Sequence, residues 1–191
     1  DPCRNFWEIY DGIPLPEPVI GDWSETVEST PQGFLAGAYE NTNMHLLGAR
    51  QKQASRRAYY ACITQVDYQL GRIFGAMREN DLFKDTWVIF TSDHGEMLGD
   101  HHMSQKNLFF ERSAYVPLLI MPPQRQGNPL SLEFPQGGGL PQKLGISRNI
   151  RIDRPVTLAD IYPTILAMEG QDCPEGRSGR NLLAVSDLPE D

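Results

Sequence analysis

An aspartate and a histidine stand side by side at Asp93-His94, directly after a short β-branched and aromatic run, Trp87-Val88-Ile89-Phe90-Thr91. A carboxylate oxygen and an imidazole nitrogen are both ordinary ligands of a divalent cation. In open α/β sheets ligands bind beyond the carboxyl ends of the strands, so a pair at that point is well placed for chemistry. Gly95 and Gly99 let the backbone turn sharply or approach a ligand closely. The same residues also fit a plain strand-to-loop turn, with an Asp cap and a solvated His. Farther along the loop stands Lys106. Its ammonium could neutralise one oxygen of a tetrahedral anion and steady a leaving oxygen as charge develops on it. A lone loop lysine is otherwise simply solvated.

The elements that must position these groups are legible around them. Tyr59, Ile63, Val66, Leu70, Ile73 and Met77 recur at alternating steps of four and three, which predicts one stripe of a helix over 52–79, ended by Asn80-Asp81. The run 87–91 reads as a strand buried on both faces, and 116–121, closed by Pro122-Pro123, reads as a second. Helix, strand, loop, strand predicts an α/β layer with a mainly parallel sheet flanked by helices. Residues 1–50, rich in Pro, Gly, Asn and acidic residues, read as a loop-rich lead-in forming an active-site rim or awaiting a packing partner. Residues 51–121 carry the helix, both strands and the site loop. Residues 122–147, with Gly137-Gly138-Gly139, read as an excursion loop. In 148–191, Ile150 and Ile152 suggest a short edge strand, and Asp160 caps a helix with Pro163 in its first turn and Gly170 beyond its end.

The chain of 191 residues carries 17 basic and 25 acidic residues, a net charge of -8 with no basic run. That excludes a general nucleic-acid binder, which needs clustered cations to displace counterions. No apolar run approaches a membrane span. The three cysteines, Cys3, Cys62 and Cys173, are too few and too scattered for a disulfide framework or a CxxC metal site. Cys62, on the long helix, reads as a buried apolar residue.

As a series, the motifs resemble one family. Ser92-Asp93-His94-Gly95-Glu96-Met97-Leu98-Gly99-Asp100-His101, then Lys106, Glu111 and Val116-Pro117-Leu118-Leu119-Ile120, look like the signature of the type I sulfatases of the alkaline phosphatase superfamily. Tyr59-Tyr60-Ala61 with Asp67 and Gly71 is similar to the family's preceding helix, and Val156-Thr157-Leu158 with 160–166 is similar to a later one. The resemblance implies a partial alkaline-phosphatase-like layered fold, the whole chain being part of one catalytic domain. It implies that Asp93 and His94 ligate a divalent cation, usually calcium. It assigns Lys106, with His94, to catalysis, and Lys106 to the sulfate and leaving-group oxygen of a small sulfate ester. His101 is a second substrate-site candidate, or else a loop histidine bonded to backbone.

One departure is concrete. The family nucleophile is a formylglycine made within Cys-x-Pro-x-Arg, and none of Cys3-Arg4-Asn5, Cys62-Ile63-Thr64 or Cys173-Pro174-Glu175 fits that pattern. The resemblance therefore implies that nucleophile and further ligands come from an amino-terminal part of the same catalytic domain, and that this chain alone is inactive. Two other readings stay open. One is a phosphodiesterase or phosphonate monoester hydrolase of the same superfamily, and the other is a non-catalytic binding module that keeps a relic site.

Overall fold

The computed structural model of the chain describes residues 2–21, 43–106, 109–124, 131–132, 144–145 and 153–187. The chain divides into two compact units, Asp1–Asn80 with Phe90–Leu119, and Asp81–Ile89 with Ile120–Asp191. Among the described residues no helix is long and apolar enough to cross a membrane.

The first unit is organised by two helices, α1 (Arg4–Ile9) and α2 (Ala49–Glu79). The lead-in is therefore not all loop. Phe6 and Tyr10 are four residues apart, so they meet α2 together. Phe6 lies 5.8 Å from the Tyr68 ring, and Tyr10 lies 5.9 Å from the Tyr60 ring with its hydroxyl 2.6 Å from Thr64 Oγ1. The Arg57 guanidinium stacks 4.5 Å over the Trp7 ring and donates to the Trp7 carbonyl at 3.0 and 2.9 Å. This packing orders a segment whose local composition favours loop, a case of tertiary contact overriding propensity. Residues 22–42 of the lead-in lie outside the described residues.

Helix α2 begins three residues before the predicted start, where the Gly48 N–H donates to Gln51 Oε1 at 2.9 Å. It ends as expected at Asn80, whose side chain donates to the Ala76 carbonyl, and Asp81 follows with φ 57°. The apolar stripe has the predicted period, yet Tyr59, Ile63, Val66 and Ile73 are exposed. The buried positions of α2 are Arg56 and Ala61, and Cys62 is only half-buried. Met44, Ala61, Met97 and Met103 form the apolar core of this unit.

Strands β1 (Val88–Thr91) and β2 (Leu118–Met121) fall where the two apolar runs predict them and pair in a two-stranded sheet, but they are not buried on both faces, since Phe90 and Leu119 are exposed. A one-turn helix, α3 (Glu111–Ala114), lies between them in sequence. The excursion 122–147 is not wholly loop. Strands β3 (Ser131–Leu132) and β4 (Leu144–Gly145) pair antiparallel, with Ser131 opposite Gly145 and Leu132 opposite Leu144. Two-residue strands are too short to leave a periodic signal in sequence. The edge strand expected at Ile150 and Ile152 lies outside the described residues.

In the second unit, α4 (Ile161–Met168) has buried Pro163 in its first turn and Gly170 at φ 69° beyond its end, as expected. It starts directly after Asp160, as expected, but the Asp160 side chain makes no cap bond to it. The carboxylate instead accepts from the Thr157 N–H at 2.8 Å and the Arg180 N–H at 2.7 Å. Thr157 is the cap position of a preceding 3-10 turn, Leu158–Asp160. The Thr164 hydroxyl donates to the Asp160 carbonyl and accepts from the Leu182 N–H, so the buried polar groups here are paired.

Candidate active-site loop

The site loop leaves β1 at Thr91, within the first unit. Asp93 Oδ1 accepts the His94 N–H at 3.0 Å, and the Ser92 hydroxyl donates to the His94 carbonyl at 2.8 Å. His94 Nδ1 lies 2.8 Å from the Gly95 carbonyl oxygen, which can only accept, so Nδ1 carries the proton. In the neutral ring Nε2 then holds a lone pair, and it lies 3.3 Å from Asp93 Oδ2. Two acceptors that close call for a proton or a cation between them. Oxygen and nitrogen donors held this way, with the second ring nitrogen pinned by a carbonyl, suit two ligands of a divalent cation. Among the described residues no group of three or more His, Cys, Asp or Glu could complete such a site.

Behind this pair the backbone runs hard against α3. The Gly95 N–H donates to the Ser113 carbonyl at 2.7 Å and the Glu96 N–H to the Arg112 carbonyl at 2.8 Å. A Cβ on Gly95 would lie 2.0 Å from the Arg112 oxygen, so close approach, not an unusual φ, demands glycine there. Ser113 is buried, and its hydroxyl donates to the Lys106 carbonyl. The aspartate-histidine turn and the lysine are thus fastened to one serine. The Lys106 side chain itself is exposed.

Between them the loop is folded against its own preferences. Leu98, His101, His102 and Gln105 all have positive φ, at 48°, 53°, 62° and 68°. Glu96 Oε1 accepts from the N–H groups of Leu98 and Gln105. Buried Arg56 of α2 donates to the Leu98 carbonyl at 2.6 Å. Buried Asp100 accepts from the Val19 N–H and from Arg112 Nε, each at 3.0 Å. The His101 N–H donates to the Val19 carbonyl at 2.8 Å, so the lead-in rims the site loop at Val19 and Ile20. The His101 ring donates through Nδ1 to the Ile20 carbonyl at 2.9 Å and lies 4.5 Å from the Phe110 ring. Those contacts are the backbone-anchored arrangement weighed for His101 in the sequence. The tethering roles of Glu96, Arg56 and Ser113 escaped sequence reasoning because their partners are backbone atoms, and that of the Asp100-Arg112 pair because only the fold brings the two side chains together. Tyr59 of α2 is held above its ordinary 10.0, first by the partial burial of its phenol, then by the charges of Glu96 and Cys62.

The sulfatase family profile matches residues 22–170. Arylsulfatase K of Canis lupus familiaris is 33% identical over 177 residues, covering 93% of this chain and 28% of that protein. An arylsulfatase of Clostridium perfringens is 30% identical over 191 residues, covering 100% of this chain and 35% of that protein. The chain therefore spans about a third or less of the length of these curated relatives. Among solved structures, the phosphonate monoester hydrolase of Silicibacter pomeroyi superposes with a TM-score of 0.64 at 28% identity, over 93% of this chain and 33% of that one.

Proposed function

Because this chain belongs to the sulfatase family, we propose that it is the part of a sulfate-ester hydrolase that supplies two metal ligands and a sulfate-binding lysine. The observation that carries this reading is the acceptor pair, Asp93 Oδ2 and His94 Nε2 at 3.3 Å, fastened through Gly95 to the same serine that holds Lys106. Asp93 and His94 would hold a divalent cation, for which calcium is the proposed identity, its remaining ligands being oxygens from outside this chain. When bound, such a cation withdraws charge from the sulfate oxygens. Lys106 contributes a mobile cation on an exposed stem, suited to a sulfate oxygen and to the ester oxygen as it departs. His94 keeps its Nε2 directed beside Asp93 by donating Nδ1–H to Gly95. His101 lies on the same loop and is proposed as a flank of the substrate site, a role its anchoring to Ile20 and Phe110 does not itself argue for.

The nucleophile is proposed to be a formylglycine from an amino-terminal part of the same catalytic domain, since no cysteine here has the required context. The exposed stripe Tyr59, Ile63, Val66 and Ile73 on α2 is the surface such a part would cover. The fraction of the relatives that the chain spans supports this arrangement.

A second reading, phosphonate monoester hydrolysis, is favoured by the likeness to the Silicibacter enzyme. The test is hydrolysis of an aryl sulfate and an aryl phosphonate by the full-length protein that contains this chain, and by the 191-residue chain alone. Faster sulfate-ester turnover by the full-length protein and none by the chain is the expected result. Preference for the phosphonate would move the assignment to the second reading. Turnover by the chain alone would overturn the division of the site.

A further inference from the structure

Lys106 follows directly on Gln105, and Gln105 is one of the left-handed residues of the loop, with φ 68°. Leu98, at the opposite end of the same excursion, has φ 48°. Side chains disfavour this conformation, and it persists only where the surroundings over-determine it. A single oxygen does so at both places. Glu96 Oε1 accepts from the Leu98 N–H at 3.1 Å and from the Gln105 N–H at 2.6 Å. Glu96 is itself fixed, through its own N–H, to the Arg112 carbonyl at 2.8 Å. Inside the clasp, the Met97 N–H donates to the Gln105 carbonyl at 2.9 Å and the Gly99 N–H to the Met103 carbonyl at 2.7 Å. These backbone bonds close the loop, and among the described residues it is the carboxylate that accepts from the N–H groups of the two strained residues at its ends.

We propose that Glu96 is the positioning residue for Lys106, acting through the backbone of Gln105 and not on the substrate. The inference rests on the reading of Lys106 as the sulfate ligand. A carboxylate is suited to the task because its oxygen has more than one lone pair and its charge strengthens both bonds. An amide oxygen keeps the acceptor and loses the charge, and a methyl group loses both. Aspartate keeps the charge but falls one methylene short.

The experiment uses the full-length protein that contains this chain, with 4-nitrophenyl sulfate as probe. Glu96→Ala is expected to lower kcat/KM about 100-fold, the scale of a small misplacement of a reacting group. Glu96→Gln is expected to recover activity to within about tenfold, since the acceptor survives. In a Lys106→Ala background, Glu96→Ala is expected to cost less than about threefold more, because the two residues act as one unit. Equal losses with and without Lys106 would overturn the proposal. A wild-type protein without sulfate release would instead remove the reading of Lys106 as a sulfate ligand. Competitive acylation of lysines, mapped by peptide mass, then decides the positioning role without turnover. The reactivity of Lys106 relative to Lys52 is expected to shift in Glu96→Ala and to return in Glu96→Gln, and an unchanged ratio would overturn it. Should Glu96→Ala fail to fold, Glu96→Asp takes its place in both measurements with the same expected direction.

Discussion

The buried hydroxyl of Ser113 donates to the backbone carbonyl of Lys106. The carbonyl of the same serine accepts the Gly95 N–H at 2.7 Å, so one residue fastens the aspartate-histidine turn and the lysine. Ser113→Ala removes a buried hydrogen bond and is expected to cost about 1–2 kcal/mol of stability. Urea denaturation of the purified protein checks this. Sulfate-ester turnover by the full-length protein should fall as well, since the Lys106 backbone loses its tether. A variant with an unchanged unfolding midpoint and unchanged turnover would show that Ser113 fastens nothing that matters.

Gly95 and the glycines of α2 offer a paired test of steric demand. A methyl group at Gly95 would press on the Arg112 carbonyl at 2.0 Å, whereas Cβ atoms at Gly71 and Gly75 would meet nothing within 4 Å. Gly95→Ala is therefore expected to lose about 3 kcal/mol, at the upper end of overpacking costs. Gly71→Ala and Gly75→Ala, inside a regular helix, are expected to gain about 0.5–1 kcal/mol each. The three midpoints of thermal unfolding decide the matter, and a Gly95→Ala protein as stable as wild type would mean that α3 is not held against the loop.

What the sequence disclosed follows from how each signal is written into a chain. The long helix and the two apolar strands were legible because period and β-branched runs are local properties, and β1 and β2 fall inside the predicted runs. The Asp93-His94 pair and Lys106 were legible because their types and their order along the loop form a motif. Helix α1 was not, since its order depends on Phe6 and Tyr10 finding Tyr68, Tyr60 and Thr64, each fifty or more residues away. The start of α4 after Asp160 was legible, but the cap bond was not, because the Asp160 carboxylate is taken by the Thr157 and Arg180 N–H groups. The clasp of Glu96 has no sequence signature at all, because both its partners are backbone N–H groups, which every residue except proline carries.

The facing acceptors of the Asp93-His94 pair give a metal prediction. In the full-length protein, Asp93→Asn and His94→Ala are each expected to weaken calcium binding by at least about 100-fold, exceeding the effect of losing an outer-shell partner. Calorimetric titration of calcium into chelator-stripped protein measures this directly. Removing the metal should also lower the thermal midpoint of the wild type and leave that of His94→Ala nearly unchanged, because binding to the folded state is stability. Undiminished calcium affinity in both variants would place the metal elsewhere.

The phenol of Tyr59 gives the pH prediction. Burial, then the negative charge of Glu96, then that of Cys62, raise it above 10.0, so the folded protein holds this proton longer than the unfolded chain does. The sign follows directly. Below 10.0 both states carry the proton, and Tyr59 adds no pH dependence. As pH rises past 10.0 the unfolded chain ionises first, so stability falls until the folded phenol ionises too, and then levels off. Glu96→Gln removes the second cause and leaves the first, so the titration midpoint should drop yet stay above 10.0. Carbon-13 NMR of labelled tyrosine, assigned with Tyr59→Phe, reads the midpoint in both proteins. A midpoint that Glu96→Gln leaves in place would mean that the carboxylate, although it clasps Leu98 and Gln105, sends no appreciable field to the helix beneath it.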